Sequence, residues 1–192
     1  MGSSGGILPQ GYTQLNYIAN DSNNKGRFHI PAISSPFVFR AKILIPNVSL
    51  NNYGCVTGYN GNFQVGILAN GKATQGQTGA GQSTSVFFYD NVTYEIEVCF
   101  HSTQTSSYYL VDGVDTGLKR SYTLSNTLYI MCNNSANFYI GRLYEASISD
   151  LASGDTLHQF VPCINPNNIV GMYDITTQTF YSSETGQNFI GG

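Results

Sequence analysis

The chain has 192 residues and a formal net charge of −3, with 41% hydrophobic and only 10% charged residues. This length fits one all-β domain with a sizeable core. Its eight Lys and Arg residues are scattered, and no apolar run approaches the roughly 20 residues that span a bilayer. We therefore expect neither a nucleic-acid partner nor membrane insertion.

The chain opens with a segment rich in glycine and serine, from Gly2 to Gly6. This composition is typical of flexible linkers and expression tags. We therefore expect residues 1–7 to be a flexible leader or tag remnant. Residues 8–192 are expected to form a single domain, because the sequence shows no internal repeat.

Two segments have the two-residue period of half-buried strands. In Phe37–Ile45, apolar side chains on one face alternate with Arg40 and Lys42 on the other. Residues 94–101 repeat this pattern. Both segments are therefore predicted to be strands with one solvent-exposed face.

Turn residues recur at about the spacing of 8 to 12 residues that is typical of β-sandwiches. Asp112-Gly113 predicts a tight hairpin, because this pair readily adopts the positive φ angles that such a turn needs. Further strands are predicted at residues 127–132, 137–149, 156–161, 170–175 and 178–182. The total is about a dozen strands.

Two segments are predicted to be loops, because they are rich in glycine and polar residues. They are residues 51–62, which mix Asn and Gly with tyrosines, and residues 69–85, dominated by Gly, Gln, Thr and Ser. Loops on a rigid sheet often carry binding residues. These segments are therefore natural places to look for specificity.

The four cysteines are widely spaced in the sequence, and none forms a CxxC pair. They are Cys55, Cys99, Cys132 and Cys163. Such spacing argues against a zinc knuckle or redox motif. Several lie in strand-like runs, which favours buried thiols over disulfides.

The two ends of the chain resemble a known family. Residues 8–18 resemble the opening of concanavalin A-like (LamG-like) domains, which are common in bacteriophage structural proteins and gut-bacterial surface proteins. Residues 138–150, 160–166, 170–174 and 180–181 resemble the closing strands of that family. The matching segments cover the outer thirds of the chain in the correct order.

This resemblance implies a two-sheet antiparallel jelly roll, often on a virion or cell surface as a carbohydrate- or receptor-binding module. The family is functionally diverse, so the resemblance does not identify a ligand. Because antiparallel sandwiches commonly pair their first and last strands, we also expect the two termini to close the sheet together.

Glu95 and Glu97 are the strongest sign of an enzymatic function, because polysaccharide-cleaving enzymes of this fold use paired carboxylates on one sheet face. Residues two apart on a strand lie about 7 Å apart on the same face, near the separation that glycoside hydrolases use. The third acid of the related glucanase motif is missing, however, and the chain has no Trp. We therefore expect a solvated strand face and no enzyme.

Two pairs of aspartates have a spacing that calcium sites also use. Asp112 and Asp115 flank the predicted hairpin, while Asp150 and Asp155 bracket a short loop. Asp is equally common in such places as a turn former. A structural calcium is therefore not favoured, and we expect no metal site and no cofactor.

Tyrosine and asparagine are the side chains expected to bind a ligand. A sugar site needs flat apolar surface together with a few fixed polar groups. Residues of these two types cluster in the first predicted loop and at strand ends, which indicates a ligand-binding set of Tyr53, Tyr59, Asn60, Asn62, Tyr108, Asn133 and Asn134. The alternative is that the tyrosine rings pack over sheet edges.

Arg142 does not fit the apolar period of its predicted strand. Uninterrupted alternation would place it on the same face as Ala146 and Ile148. Either a bulge moves Arg142 to the other face, or it has a buried partner.

The favoured function is a non-catalytic surface-binding module, for a glycan or host receptor, on a virion or extracellular surface. The alternative is a structural virion protein that attaches to other virion proteins without binding sugar. Low charge and many tyrosines fit both functions equally, and both allow a homo-oligomer.

Overall fold

The structure, a computed structural model, describes residues 8–51, 53–59, 64–76, 81–124, 126–132 and 137–192. Within these ranges the chain forms seventeen β-strands, numbered below in chain order, and two 3-10 turns at Val48–Leu50 and Gln104–Ser106. No helix in this part of the chain has the length and apolarity needed to cross a bilayer.

The larger sheet consists of a row of eight strands with three short strands added. The row is, in spatial order, β11 (Val114–Asp115), β10 (Tyr108–Val111), β9 (Val92–Phe100), β4 (Phe37–Ile45), β13 (Gly141–Asp150), β14 (Thr156–Ile164), β15 (Val170–Asp174) and β16 (Thr179–Ser182). The three short strands are β1 (Thr13–Gln14), which pairs with β14, β2 (Ile18–Asn20), which pairs with β13, and β17 (Ile190–Gly191), which pairs with β2.

The smaller sheet has six strands. Their spatial order is β3 (Phe28–Ile30), β12 (Leu128–Ile130), β5 (Gly54–Tyr59), β6 (Gln64–Ile67), β7 (Lys72–Gly76) and β8 (Gln82–Phe87). Neighbouring strands in both sheets are antiparallel. The predicted fold, an all-β two-sheet jelly-roll sandwich, is confirmed.

The core lies between the two sheets and is rich in aromatic rings. Phe37 stacks on Phe100 with their ring centroids 4.9 Å apart. Phe28 of the smaller sheet meets Phe160 of the larger sheet edge-on at 5.6 Å. All four rings are fully buried, and burial of such a side chain stabilises a fold by about 1.5–3 kcal/mol. The Phe28–Phe160 contact joins the two sheets, while the Phe37–Phe100 stack lies within the larger sheet.

The strands predicted from apolar periods are confirmed. In β4 the apolar positions are buried, while Arg40 is exposed and Lys42 half-buried. The second amphipathic segment lies in β9, and the five later predicted strands correspond to β12 through β16. The predicted hairpin joins β10 to β11, with φ angles of 49° at Asp112 and 76° at Gly113.

The prediction of loops at residues 51–62 and 69–85 is wrong, because both segments contribute strands to the smaller sheet. The first contains β5, and the second contains β7 and most of β8. Polar side chains in these strands are buried with hydrogen-bond partners. Thr57 Oγ1, for example, donates to the carbonyl of Tyr129 at 3.0 Å. Such residues leave no apolar period in the sequence.

The two ends of the chain close the larger sheet side by side, as predicted. Ile190 of β17 lies opposite Ala19 of β2. The backbone N–H of Asn16 also donates to the carbonyl of the terminal residue, Gly192, at 2.7 Å. The last strand, β17, therefore pairs with β2 near the start of the described chain, which covers the edges of both short strands.

A β-bulge accounts for the irregular position of Arg142. Leu143 lies opposite Ile43, and Glu145 lies opposite Lys42, so Tyr144 is an extra residue in β13. The bulge leaves Arg142 on the outer face, where its guanidinium lies 4.5 Å from the centre of the Tyr17 ring. Of the two alternatives that the sequence left open, the bulge is the correct one.

All four cysteines are buried thiols, as predicted. Burial raises the pKa of Cys163 to about 11 and raises that of Cys55 well above its usual value. Since the thiolate is the reactive form, the raised pKa keeps Cys55 and Cys163 as unreactive thiols at neutral pH.

The buried amide of Asn51 joins the turn before β5 to Ile140, the residue before β13. Its Nδ2 donates to the carbonyl of Ile140 at 2.9 Å, and its Oδ1 accepts from the N–H of the same residue at 2.8 Å. We expect Asn51→Ala to lower the free energy of unfolding in urea by about 3 kcal/mol, because it leaves two buried backbone groups without partners. Asn167→Ala, at an exposed position, should change it by less than about 0.5 kcal/mol. Equal losses would contradict this role for Asn51.

Candidate functional site

The outer face of the larger sheet carries a groove that crosses β10, β9, β4, β13 and β14. Its volume is about 470 Å³. We call it the sheet groove. It is lined by charged, amide and apolar side chains, among them Arg40, Lys42, Glu95, Glu97, Glu145, Gln159, Leu110 and Val161.

The two-residue period of the strands places the charged side chains in this groove. Inward-facing residues of β4 and β9 fill the core, so Arg40, Lys42, Glu95 and Glu97 point outward. With Glu145, five of the 19 charged residues of the chain (8 basic plus 11 acidic) line one groove. In a chain so poor in charge, this groove holds about a quarter of the charged residues.

Arg40 and Glu97 form an ion pair across neighbouring strands. They lie directly opposite each other in β4 and β9, and Arg40 Nε is 2.8 Å from Glu97 Oε2. Both side chains are partly exposed, at 47% and 28%. Exposed pairs of this kind contribute at most about 1 kcal/mol. The pair therefore orients the guanidinium more than it stabilises the fold.

A row of three charged residues lies beside the Arg40–Glu97 pair. Lys42 lies opposite Glu95 of β9 on one side and opposite Glu145 of β13 on the other. Opposite charges at such positions attract each other across the pleat. The result is a negative–positive–negative row along the sheet groove.

Tyr108 is one of the predicted ligand-binding residues, and it contacts the lining of the sheet groove. Its hydroxyl donates to Glu97 Oε1 at 2.8 Å. Partial burial, together with the neighbouring Glu97 carboxylate, raises the pKa of Tyr108 well above its usual value. Tyr108 therefore remains a hydrogen-bond donor over the physiological pH range.

Glu95 and Glu97 share one face of β9, as their spacing predicts. Both carboxylate oxygens of Glu97 have partners, since Oε2 pairs with Arg40 and Oε1 accepts from Tyr108. A group engaged in this way is poorly placed to act as an acid or a nucleophile. The expectation that the chain is not an enzyme stays a prediction.

The first predicted binding segment splits into two environments. Tyr53 lies in the turn before β5, partly exposed, with a φ angle of 61°. Tyr59 is only 2% exposed, and its ring packs edge-on against Phe100 with centroids 5.3 Å apart. The prediction that Tyr59 offers its ring to a sugar is therefore wrong, because Tyr59 is a core residue.

Four predicted binding residues lie outside the described residues: Asn60, Asn62, Asn133 and Asn134. The structure therefore does not test their assignment, which stays a prediction. It does show that the strands leading to them, β5 and β12, are neighbours in the smaller sheet. This is the opposite sheet from the one that carries the sheet groove.

Sequence reasoning missed several residues of the sheet groove as binding residues, notably Arg40, Lys42, Glu145 and Gln159. The polar positions of β4 were visible in its two-residue period. What the sequence did not show was the pairing of β4 with β9 on one side and β13 on the other. Only this pairing brings the side chains together.

The aspartates weighed as calcium ligands act as turn formers. Asp150 Oδ1 accepts from the N–H groups of Ala152 and Ser153, both at 2.9 Å. The N–H of Ser153 and the Ser35 hydroxyl are the main causes that lower the pKa of Asp150. Asp112 Oδ1 likewise accepts from the N–H of Glu95 at 2.8 Å. In the described part of the chain, no three His, Cys, Asp or Glu residues form a metal-binding group.

Two proteins are among the solved structures that match this chain. One is a candidate carbohydrate-binding protein from Bacteroides ovatus, which is 14% identical, aligns with 93% of this chain and has a TM-score of 0.61. This chain covers 60% of the length of that protein. The other is the heptameric SAP-like pentraxin of Limulus polyphemus, which is 10% identical and has a TM-score of 0.45, with 93% of this chain and 91% of the pentraxin aligned.

No protein-family model matches the sequence, and no curated protein has a significantly similar sequence. At 14% identity, the likeness to the Bacteroides ovatus protein shows the fold alone. It supports the resemblance to concanavalin A-like domains at the level of the jelly-roll sandwich. The association with phage or gut-bacterial surfaces stays a prediction.

Proposed function

We propose that this domain binds carbohydrate through the sheet groove and has no catalytic activity. The observation that carries the proposal is the alternating row of Glu95, Lys42 and Glu145, which lies beside the Arg40–Glu97 pair in one open groove. The chain concentrates its few charges at this site. Solubility alone does not require such a concentration.

The chemistry of the groove suits sugar hydroxyl groups. Carboxylates accept hydrogen bonds from hydroxyls, and bonds to charged groups are about twice as strong as neutral ones. Lys42 and the Gln159 amide offer donors for ring and hydroxyl oxygens. Leu110 and Val161, which also line the groove, provide apolar surface for the C–H faces of a sugar ring.

The structural comparison supports this proposal. The Bacteroides ovatus protein with the same fold is described as a candidate carbohydrate-binding protein. A glycan on a host or microbial surface is the partner that fits such a module. The proposed location is accordingly a virion or an extracellular surface.

A second candidate function, assembly with other virion proteins, rests on exposed apolar side chains at one end of the sandwich. Leu50 is 52% exposed and Tyr89 is 65% exposed. The N–H of Val48 donates to Asp90 Oδ1 at 2.7 Å, which joins the turns that carry these two side chains. An exposed apolar end fits an assembly contact.

The proposal predicts that Glu95→Ala/Glu145→Ala weakens glycan binding by about a hundredfold or more, because each of the two lost hydrogen bonds to a charged group contributes about 1.5–3 kcal/mol. A glycan array would identify ligands of the wild type, and titration calorimetry would compare the variants. Both side chains are exposed, so the double variant should keep the stability of the wild type.

Tyr53→Ala is the matched control, because it removes a partly exposed side chain of the first predicted binding segment. Unchanged binding in Tyr53→Ala and weakened binding in the groove variant would support the sheet groove. The reverse pattern would assign recognition to the segment around Tyr53. If the wild type binds no glycan, the proposal fails, and the assembly function becomes the better explanation.

A further inference from the structure

Three aromatic rings form a cluster on the same outer face as the sheet groove. Tyr12 packs edge-on against Tyr173 at 5.3 Å and against Phe180 at 5.7 Å, measured between ring centroids. Tyr12 and Phe180 are partly exposed, whereas Tyr173 is buried beneath them. The cluster therefore presents aromatic surface to solvent.

Gly171 allows the Phe180 ring to lie against the sheet. A β-carbon at this position would clash with the backbone carbonyl oxygen of Tyr181 and come within 2.7 Å of the ring, so a side chain here would displace both β16 and the ring. The pairing of β15 with β16 therefore fixes Phe180 in its partly exposed position. The ring is held in place by its neighbours.

The aromatic cluster continues the charged row of the sheet groove. Val161, at the end of the groove, lies opposite Tyr173, and Tyr173 lies opposite Phe180. Ala146 lies opposite Phe160, which places the preceding residue of β13, Glu145, beside Val161. The row crosses six strands from β9 to β16, a distance of about 24 Å at the usual strand spacing.

The charges in the groove disfavour an acidic ligand. Three carboxylates face two cations, and Arg40 is already paired with Glu97. An anionic sugar would therefore meet Glu95 and Glu145 with Lys42 alone to offset their repulsion. Repulsion of this kind is a common source of specificity.

We infer that the ligand is an extended, uncharged glycan chain that lies across the strands, with its hydroxyls on the charged row and a sugar ring on the aromatic cluster. This inference rests on the proposed carbohydrate-binding function. It adds a second contact region, formed by Tyr12 and Phe180, and it excludes polymers of uronic acids. A ligand confined to the charged groove would not contact Tyr12 or Phe180.

Affinity electrophoresis tests the charge of the ligand. The gels contain a neutral polymer (xyloglucan, galactomannan or β-glucan) or an acidic one (polygalacturonate or alginate). We expect retardation by at least one neutral polymer and by neither acidic polymer. Equal or stronger retardation by an acidic polymer would overturn the inference. If Glu95→Ala/Glu145→Ala is retarded less than the wild type in that gel, the sheet groove would still be supported as the binding site.

Calorimetry with short and long oligosaccharides of the binding polymer tests the aromatic contact. Phe180→Leu keeps an apolar side chain against Tyr12 but removes the flat ring. We expect this variant to bind the long oligosaccharides about tenfold more weakly than the wild type does. Its affinity for the short oligosaccharides should be unchanged. The inference would be overturned if wild-type affinity did not depend on oligosaccharide length, or if Phe180→Leu lost the same affinity for short and long oligosaccharides. If the wild type binds none of the polymers, the proposed function fails as well.

Discussion

We expect Asp174→Ala to lower the free energy of unfolding by about 3–5 kcal/mol, because it removes the shared acceptor of a buried polar network. Asp174 is fully buried at the end of β15. Its Oδ1 accepts from the N–H groups of Gln159 and Thr176, both at 3.0 Å. Its Oδ2 lies 2.7 Å from His158 Nδ1 and accepts from the Thr177 hydroxyl at 2.7 Å. One carboxylate thus joins β14 to the β15–β16 turn.

Urea denaturation of two asparagine variants gives the matched comparison. Asp174→Asn keeps the shape and one acceptor oxygen, so we expect a loss of about 1–2 kcal/mol. Asp155→Asn, at an exposed position, should change stability by less than about 0.5 kcal/mol. If Asp174→Ala were no less stable than Asp155→Asn, the network would not have the stabilising role that its geometry indicates.

The same carboxylate should make stability depend on pH. Burial by itself would raise the pKa of Asp174, but its hydrogen-bond donors, led by the Thr177 hydroxyl, outweigh burial and lower the pKa. A lowered folded pKa contributes stability above the unfolded value of about 3.9, and this contribution is lost as pH falls through the folded pKa. Below about pH 4 the wild type should therefore lose stability more steeply than Asp174→Asn. Parallel curves would contradict this.

We expect Tyr59→Ala to lower the free energy of unfolding by about 3–5 kcal/mol, the usual cost of removing a buried aromatic ring. The ring of Tyr59 packs against Phe100 and lies 6.0 Å from the ring of Tyr122. Removing it would leave a cavity between the sheets. Chemical denaturation of the purified variant measures the loss directly.

Tyr59→Phe separates packing from any role of the hydroxyl. Among the described residues, this buried hydroxyl has no hydrogen-bond partner, so removing it should change stability by no more than about 1 kcal/mol. Glycan affinity should also stay unchanged. If Tyr59→Phe were stable but bound glycan much more weakly, Tyr59 would be a ligand-binding residue, which would contradict its assignment to the core.

The sequence predicted the parts of the fold whose signals are local. The apolar periods of β4 and β9 depend on alternation within one strand, and the Asp112-Gly113 turn depends on the φ angles of two residues. The strands β5, β7 and β8 escaped prediction, because buried residues such as Thr57 and Thr74 are polar. Thr57 donates to the carbonyl of Tyr129 and Thr74 to the carbonyl of Gly81, and the sequence does not show these partners.

The candidate site likewise combines features that are visible in the sequence with features that depend on the fold. Alternation along β4 and β9 was enough to place Arg40, Lys42, Glu95 and Glu97 on the solvent-exposed faces of two strands, because side-chain direction follows from the pleat. The folded chain was needed to show that these strands are neighbours, that the bulge in β13 brings Glu145 opposite Lys42, and that Tyr59 is buried. Strand pairing and burial depend on contacts between residues far apart in the chain, whereas alternation depends on the nearest neighbours alone.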